Sequence, residues 1–590
     1  MQPLSQADSI GRAIAQPSLP AAFLAQAADH PGRIALRSFG SDEELSLREW
    51  AERARAVAGG LRALGVRRGD RVALLLTTRI EFHILDMGAL LIGAIPFSLY
   101  ATSSLEQLIE ILDNARPRVL ITEAALADTA RTLLERHFGI SHLVVADSET
   151  ASEQELNLVA LEALCPADFD VEASAAEAQR DDVCTLVYTS GTTGAPKGVQ
   201  FRHGGMLDCL SSIRRRFTAT SADRALSYLP MAHIAERIFG HYAAFVYGYE
   251  VTSVPDISRL PEALTQVRPT RFFGVPRIYE KTLGSLHRLM SASPDSTELE
   301  AELASRLVRV RAGSPAREDE RSPDILAPLR EATGLDQAHF LAVAGAPSSL
   351  DVLEELTAFG FPINELYGAS EIIVVAGSPP DRIKLGTVGT AFPGTRIRLG
   401  EDGEVLVAGP TVMPGYYRDP ERTAEVLDDD GWLHTGDIGT MDQDGYLRIV
   451  DRKKALIINS SGKNMSPSVI EQAIKGGQPL ISQVLAIGDR RPYNVALIVL
   501  DRDAVAGLAQ QHGLSEEPFD KLTQHPVVLD AVTSVVSDGN QRLSRVEQIK
   551  RFHVLDHEWA PGSDFLTPTS KLKRAPIQRH YENVIEELYT

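Results

Sequence analysis

Between Thr185 and Val199 the chain reads TLVYTSGTTGAPKGV. Four hydroxyl residues (Thr189, Ser190, Thr192, Thr193), two glycines (Gly191, Gly194) and Lys197 fall within nine positions. Glycines let a backbone approach an anion closely, while exposed N–H groups, hydroxyls and one lysine supply donors and positive charge to phosphate oxygens. An apolar, β-prone run (Thr185–Tyr188) leads into this loop, so the stretch reads as a phosphate cradle at the end of a strand. It is not the Walker pattern, because Pro196 stands where that pattern requires glycine before the lysine. A solvated polar turn accounts poorly for so many donors in so few positions.

Other stretches carry residue types that suit a nucleotide and its metal. Leu366–Glu371 reads LYGASE, where Gly368 permits a tight turn and Ser370 and Glu371 follow. A turn carboxylate beside phosphates suits Mg²⁺, which takes one or two carboxylates and completes its shell with phosphate oxygens and water. A Ser-Glu pair is also an ordinary helix start. Ala344–Pro347 (AGAP) is a turn after a strand, and Trp432–Asp437 (WLHTGD) ends on a turn carboxylate able to accept two ribose hydroxyls. Asp451–Pro467 (DRKKALIINSSGKNMSP) sets three cations before a short apolar run and a Ser-Ser-Gly-Lys loop. In Leu566–Arg574 (LTPTSKLKR), Lys571 and Lys573 are both compact cations able to neutralise charge on a phosphate and a carboxylate oxygen. His233 and Glu236 do not form H-E-x-x-H, so no zinc site is expected there. No G-x-G occurs, which removes the dinucleotide fingerprint, and Gly368–Ile372 fails the hydrolase elbow.

The elements around these stretches alternate. Arg71–Leu76, Arg118–Thr122 and His142–Ala146 read as strands, with helices at Ile80–Leu91 and Ala125–Arg136. After the loop, strands at Ala225–Leu229, Glu250–Val254, Arg271–Val275 and Phe340–Val343 alternate with helices at Ala235–Val246, Arg259–Val267, from Pro276, and Ser349–Ala358. Such alternation predicts an α/β fold of parallel-rich sheets covered by helices. From Gly389 to Asp451 the texture changes to short strands with Asp402-Gly403 and Asp444-Gly445 hairpin turns, a small β subdomain. A smaller α+β region follows. Pro166–Arg180 reads as a surface connection, Arg311–Asp324 as a loop, and the first thirty or so residues as a poorly ordered arm.

With 590 residues the chain exceeds one compact core. A net charge of −20 argues against a nucleic-acid partner held by bulk charge. The three cysteines form no C-x-x-C pair and suit a reducing, cytoplasmic setting. The apolar tract Met87–Phe97 is too short to span a bilayer, and no integral membrane segment is expected; contact with a membrane surface stays open. The sequence leaves the oligomeric state unknown.

The run Tyr188–Val199, with His203 beyond it, resembles the signature of the adenylate-forming enzymes: acyl-CoA synthetases, luciferases and peptide-synthetase adenylation domains. The other boxes follow in that family's order from roughly Leu36 to the C-terminus. The SSGK loop, LPMAHIAER and FFGVPRIYEK look most like long-chain fatty acyl-CoA synthetases. The resemblance implies an N-terminal adenylation domain (1–451, with the β subdomain at about 389–451) and a mobile C-terminal domain (452–590). It implies an ATP-binding loop at Thr189–Gly194 and Lys197. It further implies adenine contacts at Gly345, Ala346, Pro347, Tyr367 and Gly368, with Ser370 on phosphate, Glu371 on Mg²⁺, and Asp437 and Arg452 on ribose. Lys454 is the implied hinge, Ser461, Gly462 and Lys463 the CoA-side loop, and His233 a neighbour of the acyl carboxylate. The catalytic lysine is Lys571 by alignment on the preceding P-T-S, with Lys573 as competitor. Ala344 replaces the family's first glycine and Ser370 its commoner threonine. The implied reaction activates a long-chain fatty acid with ATP, giving acyl-AMP and pyrophosphate, and then transfers the acyl group to CoA. The rivals are a fatty acyl-AMP ligase that serves a carrier protein and a non-catalytic acyl or adenylate sensor.

Overall fold

A computed structural model describes residues 6–136, 139–150, 152, 155–189, 196–314, 316–317, 323–460, 463–476, 480–567 and 570–590. Among them two large sheets carry the chain as far as Ala391. In the nine-stranded sheet, Asn364–Tyr367, Phe340–Val343, Arg271–Gly274, Arg224–Ser227, Glu250–Ser253 and Ile34–Ser38 lie side by side and parallel. Short antiparallel strands close both edges. In the seven-stranded sheet, strands from Glu155–Leu156 through Val183–Thr189 run parallel, and Lys197–Arg202 turns back antiparallel on the last of them. Helix Ile80–Leu91 contacts strands of both sheets and is buried everywhere but Glu81. That all-round burial explains its nearly unbroken apolar sequence.

The β texture after Gly389 is a four-stranded antiparallel sheet of Arg396–Leu399, Glu404–Ala408, Leu433–Met441 and Leu447–Arg452. Both Asp-Gly hairpins form, with Gly403 and Gly445 at φ 81°, a conformation that glycine adopts freely. Beyond it, Ile481–Ile487, Asn494–Leu500 and Ile549–Val554 make a three-stranded sheet. Helices Pro467–Lys475 and Pro526–Gln541 pack on one of its faces, around a core separate from that of the larger region. Ion pairs bridge the two regions: Arg277 with Asp501, Glu280 with Lys475 at 3.1 Å, Lys281 with Asp503 at 3.7 Å, and Asp351 with Arg542.

Several elements differ from expectation. The N-terminal arm is two helices, Gln6–Ile14 and Leu19–Asp29. Ser18 caps the second by accepting the Ala21 N–H, and Pro20 sits in its first turn. Phe23 is fully buried against Trp50 and Phe245, with ring centroids 4.8 and 5.6 Å away. Burial of such a ring contributes about 2–3 kcal/mol, enough to order a short helix on a preformed core. Gln26 Nε2 donates to the Val246 carbonyl, and the Leu19 N–H donates to His203 Nδ1 at 3.2 Å.

The single helix expected over Ala235–Val246 is interrupted by a π-helical turn at Arg237–Tyr242. The wider turn brings positions five apart onto one face. Arg237 thereby reaches both the Tyr242 hydroxyl (2.8 Å) and Asp86 (2.7 Å), while His241 Nε2 meets the other Asp86 oxygen at 3.0 Å. All these side chains are buried, so the distortion satisfies charges that would otherwise lack partners. The connection Pro166–Arg180 contains a short helix, Val171–Ala176, capped by Asp170. The charged stretch before Arg311 is helix Ser296–Arg311, and the expected loop after it lies partly outside the described residues.

Candidate active site

The candidate residues gather at one edge of the nine-stranded sheet. Gly274, Val343 and Tyr367 end adjacent parallel strands, with Gly274 registered opposite Val343 and Val343 opposite Glu365. The first of these strands leads through Val275 into helix Pro276–Ser291, the other two into the turns Ala344–Pro347 and Gly368–Glu371, and the strand Arg224–Ser227 leads to His233. Crevices beyond the carboxyl ends of parallel strands are the usual ligand site of open α/β sheets. Gly345, Ala346 and Pro347 are exposed there, and Gly345 takes φ 90°. At Gly368 a Cβ would lie 1.7 Å from the Ile373 carbonyl, so no other residue allows the chain to fold back there.

Glu371 is held by its neighbours. Its Oε1 accepts the Tyr416 hydroxyl at 2.9 Å, and its carbonyl accepts the Met413 N–H. Lys197 Nζ lies 4.8 Å from the centre of the Tyr416 ring, so one phenol stands between the loop lysine and the carboxylate. The segment carrying Tyr416 is laced to the strand Lys197–Arg202 by hydrogen bonds from the Tyr417 N–H to Gly198 and from Gln200 to Gly415. Glu371 Oε2 has no hydrogen bond among the described residues, and no cluster of three metal-ligating side chains occurs among them. One oriented carboxylate with a free oxygen fits Mg²⁺ that arrives with ATP and takes its other ligands from phosphate and water.

Asp437 and Arg452 face each other in strand register, and Arg452 Nε lies 2.8 Å from Asp437 Oδ1. The Tyr367 hydroxyl donates to Asp437 Oδ2 at 2.6 Å. Burial pushes the Asp437 carboxyl up from its ordinary range, against the opposing pull of Arg452, Tyr367 and Lys571. The structure thus joins three of the proposed nucleotide contacts into one chain of bonds.

The two candidate lysines part company. Lys573 Nζ donates to the Ser563 carbonyl at 2.8 Å, and the residue precedes helix Arg574–His580. Lys571 projects from a tight turn in which Thr567 accepts its N–H and donates to its carbonyl. The residue as a whole is exposed, while protein atoms crowd its ammonium. Loss of surrounding water lowers its ammonium below the ordinary lysine range and Arg452 adds to this, while Asp437 and Glu371 oppose it. Lys571 is therefore the cation that feels the ribose-side and metal-side groups together.

His233 Nδ1 accepts the Ala235 N–H, which makes it the cap of the short helix Ile234–Glu236. Its imidazole is pushed down to about 4, by burial first and then by Lys571. It stays neutral at pH 7 beside the cationic lysine. Thr189 ends its strand opposite Lys197. Ser190, Gly191, Thr192, Thr193 and Gly194 lie outside the described residues, as do Ser461 and Gly462. Lys463 is exposed, and its N–H donates to Asn459 Oδ1. Lys454 is exposed in a short 3₁₀ turn, and its side chain makes no hydrogen bond or ion pair among the described residues.

Tyr416 and Glu404 belong to the site and were not singled out from sequence. Glu404 accepts the Gly436 N–H at 2.9 Å, just before Asp437. Each lies in GEVLVAGPTVMPGYY, whose Gly-Glu and Gly-Tyr-Tyr pairs are the local signal. Neither pair announces a partner that is distant in sequence.

Residues 23–417 match the family described as AMP-binding enzyme, and residues 454–590 match the AMP-binding enzyme C-terminal domain. FadD15 of Mycobacterium tuberculosis, named a long-chain-fatty-acid–CoA ligase, is 33% identical over 564 residues, covering 92% of each chain. FadD11 of the same species, provisionally named a fatty-acid–CoA ligase, is 41% identical over 448 residues, covering 74% of this chain and 78% of its own. Among solved structures, the adenylation domain of a Mycobacterium chelonae carboxylate reductase superposes with TM-score 0.79 at 22% identity. That match covers 99% of this chain and 93% of the other. An anthranilate CoA ligase in complex with anthranoyl-AMP gives 0.75 at 18% identity, covering 99% and 100%. These structures share the fold.

Proposed function

Because this chain belongs to the AMP-binding enzyme family, we propose that it is an AMP-forming ligase that joins long-chain fatty acids to CoA. The observation that carries the reading is the convergence of Lys571, Glu371, Asp437 and Arg452, from two regions of the chain, on one strand-end crevice. The fatty-acid choice is supported by the names of FadD15 and FadD11. It is also supported by an apolar wall of Phe239 and Phe273, whose rings stack with centroids 4.7 Å apart, Phe239 lying in the π-helical turn that follows His233. At about 0.8 kcal/mol per buried CH₂, a long acyl chain supplies ample binding energy to such a wall.

The acid's carboxylate oxygen bonds to the α-phosphorus of ATP while the bond to the β-phosphate oxygen breaks, and pyrophosphate leaves. Tyr367 and the Gly345–Pro347 turn flank the adenine, Asp437 and Arg452 take the ribose hydroxyls, and Ser370 donates to phosphate. Lys197 and the residues 189–194 embrace the β- and γ-phosphates. Glu371 would hold the Mg²⁺ that arrives with ATP, and the ion would supply neutralisation of phosphate charge. Lys571 holds its positive charge beside the α-phosphate and carboxylate oxygens as negative charge builds there. Neutral His233 borders the acyl carboxylate without repelling Lys571.

In the second step the CoA sulfur bonds to the acyl carbon, the acyl–phosphate C–O bond breaks, and AMP departs with the electron pair. The region after Lys454 rotates about that residue, withdrawing Lys571 and bringing Ser461–Lys463 to the cleft. The enzyme acts in the cytoplasm, meeting membrane-borne fatty acid at the bilayer surface. No helix among the described residues is long and apolar enough to cross a membrane.

The test is a mass-resolved assay with Mg·ATP and fatty acids from short to very long, with and without CoA. Acyl-AMP that becomes acyl-CoA when CoA is added is the expected result. Acyl-AMP that ignores CoA would replace the reading with a carrier-protein ligase. No adenylate from any acid would leave a sensor on this fold.

A further inference from the structure

The bonds that anchor the chain change sides across four residues. Arg452 is held by Asp437 at 2.8 Å and by the Thr435 carbonyl at 3.1 Å. Lys453 Nζ is held by Glu404 Oε2 at 3.1 Å and by Asp402 Oδ2 at 2.5 Å. Lys454 has no side-chain partner among the described residues. From Ile457 to Lys463 the partners lie in the C-terminal region, Ile457 pairing with Met465, the Ile458 N–H donating to Asp489 and the Arg490 N–H to Ile458, before Ser466 and the Ser468 N–H return to Asp451. In the connecting segment, the last side chain fixed to the larger region before Lys454 is thus Lys453, and the group that fixes it reaches further.

Glu404 is a buried carboxylate in strand Glu404–Ala408. Its Oε1 accepts the Gly436 N–H at 2.9 Å, and Oε2 takes the ammonium of Lys453. Two further bonds lock the same strands together: Thr435 Oγ1 to the Val405 carbonyl at 2.7 Å and the Gly439 N–H to the Gly403 carbonyl at 2.9 Å. The other titratable neighbour is His434, with Nδ1 3.8 Å from Oε2. One carboxylate therefore holds the backbone beside the ribose-side aspartate with one oxygen and the residue before the pivot with the other.

We propose that Glu404 is a positioning residue for the two-step reaction, coupling the Gly436–Asp437 turn to the fixed side of the hinge through Lys453. The inference rests on the reading of Lys454 as the pivot. A rotation has defined end states only if the segment before the pivot stays put, and Arg452 alone is tied there by a group that must also serve the ribose. Lys453 carries the fixing without touching substrate.

The test measures the half-reactions separately: pyrophosphate release with Mg·ATP and fatty acid, and acyl-CoA formation from supplied acyl-AMP and CoA. Glu404→Gln keeps an oxygen for the Gly436 N–H but removes the charge facing Lys453, and Lys453→Met removes the other partner. Each is expected to slow thioester formation about ten-fold. The double variant should be no slower than Lys453→Met alone, because that substitution already removes the pair with Glu404 along with the Asp402 contact. Lys453→Met should leave pyrophosphate release within about two-fold of wild type, and Lys453→Arg should restore the second step. Lys453 is half-exposed, so its substitution puts no buried core at risk. Additive effects in the double variant, equal slowing of both half-reactions, or an unchanged second step in an otherwise active enzyme would overturn the coupling. Wild type that forms acyl-AMP but never thioester would overturn the pivot reading and this inference with it.

Discussion

His203 stands where the phosphate-loop strand gives way to helix His203–Arg216, and it ties that junction to the N-terminal helices. It is 2% exposed, and its Nδ1 accepts the Leu19 N–H, which requires Nδ1 to be unprotonated. Burial lowers its pKa to about 4 from 6.5, with Arg68 adding to the shift and Asp182 opposing it. The folded value lies below the unfolded one, so as pH falls the unfolded chain takes up the proton first. His203 contributes nothing above about pH 7; stability is lost as pH falls from 6.5 toward 4, and the loss is complete below that. At ~1.4 kcal/mol per unit the full loss is about 3 kcal/mol, of which about 2 kcal/mol is reached by pH 5. His203→Asn offers a side-chain oxygen to the Leu19 N–H and does not titrate. Urea unfolding of both proteins from pH 7.5 to 5 can be followed through Trp50, after replacing the other two tryptophans, Trp432 and Trp559, with phenylalanine. The variant is expected to be less stable at pH 7.5, because it packs less volume, and to close the gap by about 2 kcal/mol at pH 5. Other buried histidines titrate equally in both proteins and cancel in the comparison. Curves that stay parallel across this range would refute the argument.

Three further outcomes follow from the site. Lys571→Ala should cut acyl-AMP formation by about 10²–10³ while sparing thioester formation from supplied acyl-AMP, whereas Lys573→Ala should spare both, as pyrophosphate release and acyl-CoA assays would show. The lowered pKa of Lys571 places the alkaline limb of adenylation below the ~10.4 of a free lysine, and a pH–rate profile of thioester formation from acyl-AMP should lack that limb. Lys454→Pro should abolish thioester formation and leave pyrophosphate release within about three-fold of wild type, read in the same paired assays.

Much of the architecture is written locally. Phe340–Val343, Glu404–Ala408 and Ile80–Leu91 have the bounds that their apolar runs and turn residues predict, and both Asp-Gly hairpins form as read. Elements decided by distant partners were less legible. The π-helical turn exists because Arg237 must reach Asp86, 151 positions away in sequence, and nothing in RIFGHY states that need. The N-terminal helices did carry a signal, Ser18 before Leu19-Pro20, but their order comes from docking Phe23 onto Trp50. In the site, the family resemblance implied roles for Tyr367, Glu371, Asp437 and Arg452, and the fold adds that Asp437 bonds both the Tyr367 hydroxyl and Arg452. Alignment on P-T-S already favoured Lys571 over Lys573, and what only the tertiary structure adds is the bond from Lys573 Nζ to the Ser563 carbonyl. Tyr416 and Glu404 stayed hidden because their work lies in whom they touch.

The ion pairs between the two regions have a consequence for any attempt to recombine them. The larger region presents Arg277, Glu280, Lys281 and Asp351, while the smaller presents Asp501, Lys475, Asp503 and Arg542. Each face mixes both signs, so the pattern works as a key cut for one docking orientation rather than as a general attraction. A C-terminal region grafted from a relative would carry its own cut. Wherever its residues at those four positions differ, it would lose these pairings even if every catalytic side chain were retained. Grafts that carry Lys475, Asp501, Asp503 and Arg542 together are the ones expected to close over the crevice.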